Sequence, residues 1–324
     1  MKQFAKPRIL ISRCLEHEAC RYDGSMIRSD IIKGLKPYVD FVTVCPEMQI
    51  GLPSPREAMR IVRKASGEEH LLSSQSGIER TPALKAFTAD FIEHLDVQEI
   101  DGIILKEKSP SCGINDVKIY DGIGKAKLIP GKTKGLFGGE LIQRLPLMPI
   151  ENEGRLRHFN LREQFLIRIY TQKAFKEVKK SGEMKALVQF QSINKYLFMS
   201  FSPGYLKTLG KLVANHEKRK FSDLIVEYEE VLSKLLAQDL SPARNVNTLL
   251  HVYGYFKDNI SAEEKAYFLE KMDLYRQKKI PYMVVLNILG GWAIRFDETY
   301  LKGQTLFEPF PPTLFDVTDS GKGL

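Results

Sequence analysis

No apolar run in this sequence approaches the ~20 residues needed to cross a bilayer, so no membrane-spanning segment is expected. The amino-terminal MKQFAKPRILISRCL starts basic, but its apolar stretch is only Ile-Leu-Ile before an arginine. It lacks the hydrophobic core and cleavage site of a secretory leader, and a cytoplasmic location is expected. Cysteine is scarce: there are four in 324 residues, and none follows Cys112. A cytosolic setting disfavours structural disulfides. The absence of C-x-x-C excludes thioredoxin-like exchange, and the short-range cysteine pairs that zinc favours are missing as well. Phosphate-binding glycine motifs are also absent. Gly131-Lys132-Thr133 resembles the end of a P-loop, but the required earlier glycine is replaced by Ala126, and no G-x-G-x-x-G fits. The stretch holding Gly131, Gly135, Gly138 and Gly139 reads instead as a flexible segment before the helix GGELIQRL, with Lys132 and Lys134 near a site. Acidic residues are outnumbered 40 to 48, giving a net charge of +8. That surplus leans weakly toward a polyanionic partner.

The cysteines that are present have telling surroundings. PRILISRC ends on Cys14, VDFVTVC ends on Cys45 before Pro46, and DGIILKEKSPSC reaches Cys112 a few residues past its apolar run. Each apolar run is rich in β-branched residues and reads as a strand. Between them SDIIKGLKPY, PREAMRIVRKA and ERTPALKAFTADFIEHLDV read as helices. Strands alternating with helices predict a Rossmann-like parallel sheet, and such sheets bind ligands at the carboxyl ends of their strands. Cys14, Cys45 and Cys112 are therefore expected to converge on one edge. Three converging thiolates fit a metal site, and an iron–sulfur cluster accepts ligands this far apart in sequence. Three cysteines on a four-iron cluster leave one iron open, as a catalytic centre requires. Cys20 is a candidate fourth ligand, but it lies in the polar stretch EHEACRYDG, off the strand end, and is expected outside the set.

The motifs ISRCLEHEACRYDGS, VCPEMQIGLPSPRE and LKEKSPSCG, in that order, resemble the thiouracil desulfidase family over roughly residues 7 to 150. From about Arg155, KYLFMSFSPGYLKTLGKLVA and LFEPFPPTL resemble an uncharacterised, YbgA-like helical domain. The resemblance implies a 4Fe-4S cluster held by Cys14, Cys45 and Cys112, with one open iron. It also implies hydrolysis of 4-thiouracil derivatives, including 4-thiouridine in tRNA, to uracil and sulfide. The open iron would act as a Lewis acid on the soft thione sulfur, without net electron transfer. Glu47, two residues past Cys45, is then the general acid/base, although a loop or helix-cap carboxylate is the structural alternative. The family also places a catalytic serine in SPSC. Ser109 is favoured over Ser111, against the alternative that Ser109 only shapes a turn. Tyr22, Asp23 and Gly24 either shape the pocket or form a turn. Arg56 either holds an anionic substrate or starts a solvated helix.

Pro146 and Pro149 followed by Glu-Asn-Glu-Gly read as a linker. The expected organisation is thus an α/β domain over 1–150 and an all-α domain over 155–324. The second has apolar residues at helical spacing, with Phe159, Phe165, Ile169 and Phe175 among them. SPARNV and ISAEEK offer helix N-caps, and Trp292 reads as core. Tyr170, Tyr196 and Tyr205 lie among basic residues and are candidates for stacking on bases, although no recognised RNA-binding motif is present. The expected partners are thiouracil-containing small molecules or tRNA, with no membrane and no obligate protein partner. Alternatives are a desulfidase confined to free bases or nucleotides, and a non-catalytic nucleic-acid accessory protein with a sensing cluster.

Overall fold

A computed structural model describes residues 2–316, 318 and 319; the end of the expected helical domain past Asp319 lies outside the described residues. The chain forms two compact units, Met1–Lys173 together with the residues from Thr313 onward, and Ala174–Pro312. The first unit carries strands β1 (Arg8–Ser12), β2 (Asp40–Val44), β3 (Met59–Arg63), β4 (Glu69–Ser73), β5 (Gly102–Leu105), β6 (Val117–Tyr120), β7 (Leu128–Thr133) and β8 (Ile150–Asn152). One sheet has the order β2-β1-β5-β8 and every pairing in it is parallel. Its central strands read as unbroken apolar runs because both faces are covered; Ile9, Leu10, Ile11, Ile103, Ile104 and Leu105 are fully buried. Helices α1 (Asp30–Leu35), α2 (Pro46–Gln49), α3 (Thr81–His94) and α4 (Leu136–Arg144) follow in chain order. Phe87 and Phe91 of α3 and Phe137 and Leu141 of α4 pack on Leu10, Val44, Ile103 and Leu105.

The first half of α5 (Phe159–Ser181) also covers this sheet. A Cβ on Gly102 would sit 2.6 Å from Ile169 and 3.2 Å from Phe165, so only glycine lets the helix approach β5 so closely. The sheet is a parallel α/β layer, as the sequence predicts. A second sheet, of order β4-β3-β6-β7, was not expected. The stretch PREAMRIVRKA, expected to be helical, instead forms β3, paired antiparallel with β4. The β-branched pair Ile61–Val62 and the turn at Gly67, with φ of +88°, favour a hairpin over the helical period. Gly131 and Lys132 fall on β7, so the first part of the segment expected to be flexible is paired strand.

The second unit is entirely helical among its described elements, running from α6 (Met184–Ile193) through α7 (Lys195–Phe201), α8 (Pro203–Ala214), α9 (Phe221–Leu236), α10 (Pro242–Tyr253), α11 (Ala262–Arg276) and α12 (Tyr282–Arg295) to α13 (Thr299–Lys302). Its core is aromatic. Phe175, Phe190 and Tyr228 form one group, and Trp292 sits against Tyr253, Phe256 and Phe268. Helix starts follow the sequence signals. Ser241 caps α10, and Ser261 with Glu264 forms a complete capping box on α11, satisfying otherwise unpaired backbone N–H groups.

Candidate functional site: a thiol-lined cavity

The carboxyl ends of β1, β2 and β5 open into a cavity of about 410 Å³ lined by Cys14, Cys20, Cys45 and Cys112. The route to each thiol is local. Cys14 follows β1, where its carbonyl accepts from Ile27 N at 2.8 Å and anchors the loop. Cys45 directly follows β2 and caps α2, whose first residue is Pro46; proline's fixed φ and missing N–H suit the first position of a helix. Cys112 is held from both sides by hydroxyls: its thiol contacts Ser12 and Ser109, and its amide donates to Ser109 Oγ at 3.1 Å. Ser12 Oγ also accepts from Lys106 N at 2.9 Å, tying the ends of β1 and β5 together. All four cysteines are unpaired.

Cys20, expected outside the ligand set, nevertheless lies against the other thiols. Although the chain around it is polar, its side chain is fully buried and contacts the thiols of both Cys14 and Cys45. The chain returns through the turn Arg21–Ser25, where Gly24 has φ of +72° and Asp23 accepts from the Ser25 amide and hydroxyl. RYDG is therefore a turn, and it also places Tyr22 on the cavity wall. The Cys14 contact, countered by Cys45 and reinforced by burial, pushes the Cys20 thiol up to about 11. Contact with Cys20, then burial, raises Cys45. Burial pushes Cys112 up to about 12 against the two hydroxyls. Crowded, desolvated thiols stay protonated unless a cation supplies the countercharge.

Glu47 lies at the cavity on the first turn of α2. Arg56 donates Nε to Glu47 Oε2 at 2.8 Å, and its Nη2 lies 2.6 Å from the same oxygen, with both side chains largely buried. Ser111 Oγ donates to Glu47 Oε1 at 2.7 Å. Arg56 Nη1 also donates to the carbonyls of Cys20 and Pro53. Its donors are thus turned inward, and it neither starts a helix nor stands free for an anionic ligand. Ser109 lines the cavity. Its Oγ accepts from Ser111 N at 3.3 Å and Cys112 N at 3.1 Å, and its hydroxyl also meets the Cys112 thiol. The two serines have different work: Ser109 organises the loop and faces the cavity, whereas Ser111, fully buried, orients the carboxylate.

Sequence reasoning missed the glycines that hold this loop. The start of α4 lies directly on SPSCG. Gly135 N donates to Gly113 O at 2.8 Å, Leu136 N to Pro110 O at 3.1 Å, and Phe137 N and Gly138 N to Ser111 O at 2.9 and 3.0 Å. A Cβ on Gly138 would fall 2.3 Å from Cys112 O, and one on Gly135 2.5 Å from Ser111 O. Of the tyrosines expected to stack on bases, Tyr170 is buried with its hydroxyl donating to Tyr38 O at 3.0 Å. Tyr196 is buried too, donating to Tyr255 Oη at 3.0 Å. Burial removes both from that role; Tyr205 is partly exposed.

A parallel sheet that gathers four thiols and a clamped carboxylate at its carboxyl edge defines an α/β protein with a sulfur-rich reaction cavity. The chain belongs to the 2-thiouracil desulfurase family, whose pattern matches residues 9–153. Residues 195–311 match a second family, described as a protein of unknown function (DUF1722). Over 148 residues the chain is 28% identical to the uncharacterized protein YbgA of Escherichia coli K12, covering 45% of this chain and 88% of that protein. Over 128 residues it is 34% identical to the uncharacterized protein YbbK of Bacillus subtilis 168, covering 38% of this chain and 83% of that protein. Among solved structures, the 4Fe-4S-dependent thiouracil desulfidase TudS is similar at 28% identity and a TM-score of 0.37, over 47% of this chain and 93% of that one. Among the described residues, no helix is long and apolar enough to cross a membrane.

Proposed function

We propose that the protein is an iron–sulfur-dependent desulfidase that hydrolyses the C–S bond of 4-thiouracil derivatives, 4-thiouridine in tRNA among them, to the uracil form and hydrogen sulfide. The observation that carries the reading is the convergence of Cys14, Cys45 and Cys112 on the cavity that also holds Glu47 and Ser109. The donor set fits such a cluster. Its sulfurs are soft, suited to iron and poor for hard cations. Cys14, Cys45 and Cys112 would hold the cluster, and when bound it supplies a Lewis-acidic iron that polarises a thione.

The chain's own residues supply the rest. Glu47 Oε1 and Oε2 are fixed by Ser111 and Arg56, so the carboxylate meets a water or ring nitrogen in one orientation and moves its proton. Ser109 offers its O–H to the substrate or to the departing sulfur. Tyr22 and Met59 form part of the cavity wall. The reaction balances as thiouracil plus water giving uracil plus hydrogen sulfide, with no electron donor. A second reading, a desulfidase of free bases and nucleotides only, is favoured by one observation: every lining residue falls between Ser12 and Cys112.

The test is anaerobic cluster reconstitution followed by sulfide release and loss of thione absorbance, on tRNA and on the free nucleoside. Turnover of both is expected, and of the nucleoside alone under the second reading. Cys112→Ala should abolish turnover and iron retention together; full activity in that variant would sink the cluster assignment.

A further inference from the structure

Most cations around the cavity are already engaged. Arg56 is held by Glu47 and two carbonyls, and Arg21 by Asp23 and Ser25. Arg13 faces Glu18 at 3.6 Å, and the Lys108 side chain is 64% exposed beside Glu107. Lys106 differs. Its side chain is only 17% exposed, it lines the cavity, and it is paired with Glu153, which is 3% exposed. Glu153 is fixed in turn by Glu107 N, which donates to Oε2 at 2.8 Å. Lys106 Nζ donates to Glu153 Oε1 and, at 3.0 Å, to Glu107 O. An ammonium carries three N–H donors, and among the described residues the third has no partner. Two fixed bonds to buried or backbone acceptors thus leave one donor over on a side chain that lines the cavity.

We propose that Lys106 gives this third N–H to the ring carbonyl oxygen of a bound thiopyrimidine. The substrate class is then rings bearing a carbonyl beside the thione, and Lys106 selects for them. The inference rests on the desulfidase reading. A charged donor on that oxygen fixes the ring with its thione toward the cysteines and draws electron density from the carbon that water attacks. Lys106 keeps its proton throughout: water's oxygen bonds to the carbon, the C–S bond breaks, and sulfur leaves with the protons that Glu47 moves.

The test compares 4-thiouracil with pyrimidine-4-thione, which lacks the 2-oxygen, in reconstituted wild-type protein and in Lys106→Met. A hydrogen bond to a charged group predicts a wild-type preference of about 10- to 100-fold in kcat/KM for 4-thiouracil. That preference should vanish in Lys106→Met and partly return in Lys106→Arg. Because Lys106→Met leaves Glu153 buried without its partner, the double variant Lys106→Met with Glu153→Gln keeps the comparison available if the single variant misfolds. Iron content and circular dichroism monitor folding. The same ratio is read in the dissociation constants of the products, uracil and 4-hydroxypyrimidine, which do not depend on turnover. A preference that survives in Lys106→Met overturns this inference alone. A wild-type protein with full iron content that releases sulfide from neither compound overturns the desulfidase reading and this inference with it.

Discussion

Glu47 has the most constrained environment in the cavity. Two guanidinium nitrogens reach one of its oxygens and a serine hydroxyl the other. Glu47→Gln keeps the volume and, with its oxygen toward Arg56 and its NH2 toward Ser111 Oγ, both partners, but cannot carry a proton. It should lower kcat by about 10²- to 10⁴-fold, with KM and iron content near wild type. Ser111→Ala keeps the Arg56 contact but frees one carboxylate oxygen, so its effect on kcat should be smaller and its KM effect slight. Stopped-flow sulfide release on the reconstituted variants checks both; a Glu47→Gln enzyme as fast as wild type would remove Glu47 from proton transfer. Part of this was legible in the sequence. Cys45-Pro46-Glu47 announces a strand end followed at once by a carboxylate. The partner set was not legible, because Arg56 and Ser111 are brought to Glu47 by tertiary folding across 9 and 64 positions. The burial of Cys20 was not legible for a related reason: local polarity reports what surrounds a residue along the chain, and the Arg21–Ser25 turn reverses the chain to bury it.

At the scale of elements, the site depends on one contact that composition disguises. Gly135, Gly138 and Gly139 look like a flexible tract, yet Gly135 and Gly138 let the first turn of α4 rest its N–H groups on the carbonyls of SPSCG. These bonds satisfy N–H groups that a helix start leaves unpaired and fix the loop that carries Ser109, Ser111 and Cys112. Gly138→Ala would force a methyl into the Cys112 carbonyl and should cost about 1–3 kcal/mol by overpacking. Because the strain falls on the loop, iron retention and turnover should drop even under conditions where the variant stays folded. Chemical denaturation together with iron content after desalting measures the two effects. A variant that loses neither stability nor iron would show that α4 can yield without moving the loop. The parallel sheet was readable because burial on both faces gives unbroken apolar strands. The second sheet was not, since Arg60 and Arg63 interrupt its apolar pattern and mimic a helical face.

At the scale of the whole molecule, charge and burial pull the RNA reading in different directions. The net charge of +8 favours a polyanion, but Tyr170 and Tyr196, which were to supply stacking, are core residues. RNA contact through the helical unit would then be electrostatic, carried by exposed lysines such as Lys207 and Lys211 on α8 and Lys218 just beyond it. Electrostatic binding has a signature: affinity falls steeply with salt as condensed counterions are released. Reversing all three lysines to glutamate should weaken tRNA binding and flatten the salt dependence, since each lost phosphate contact lowers the slope by about 1. Turnover of free 4-thiouridine should be unchanged, because the cavity is built entirely between Ser12 and Cys112. Titration of tRNA at several salt concentrations, beside nucleoside turnover, separates the cases. A salt slope identical to wild type would take these lysines out of the interface. Loss of nucleoside turnover in the same variant would mean that the helical unit influences the cavity by a route other than RNA contact.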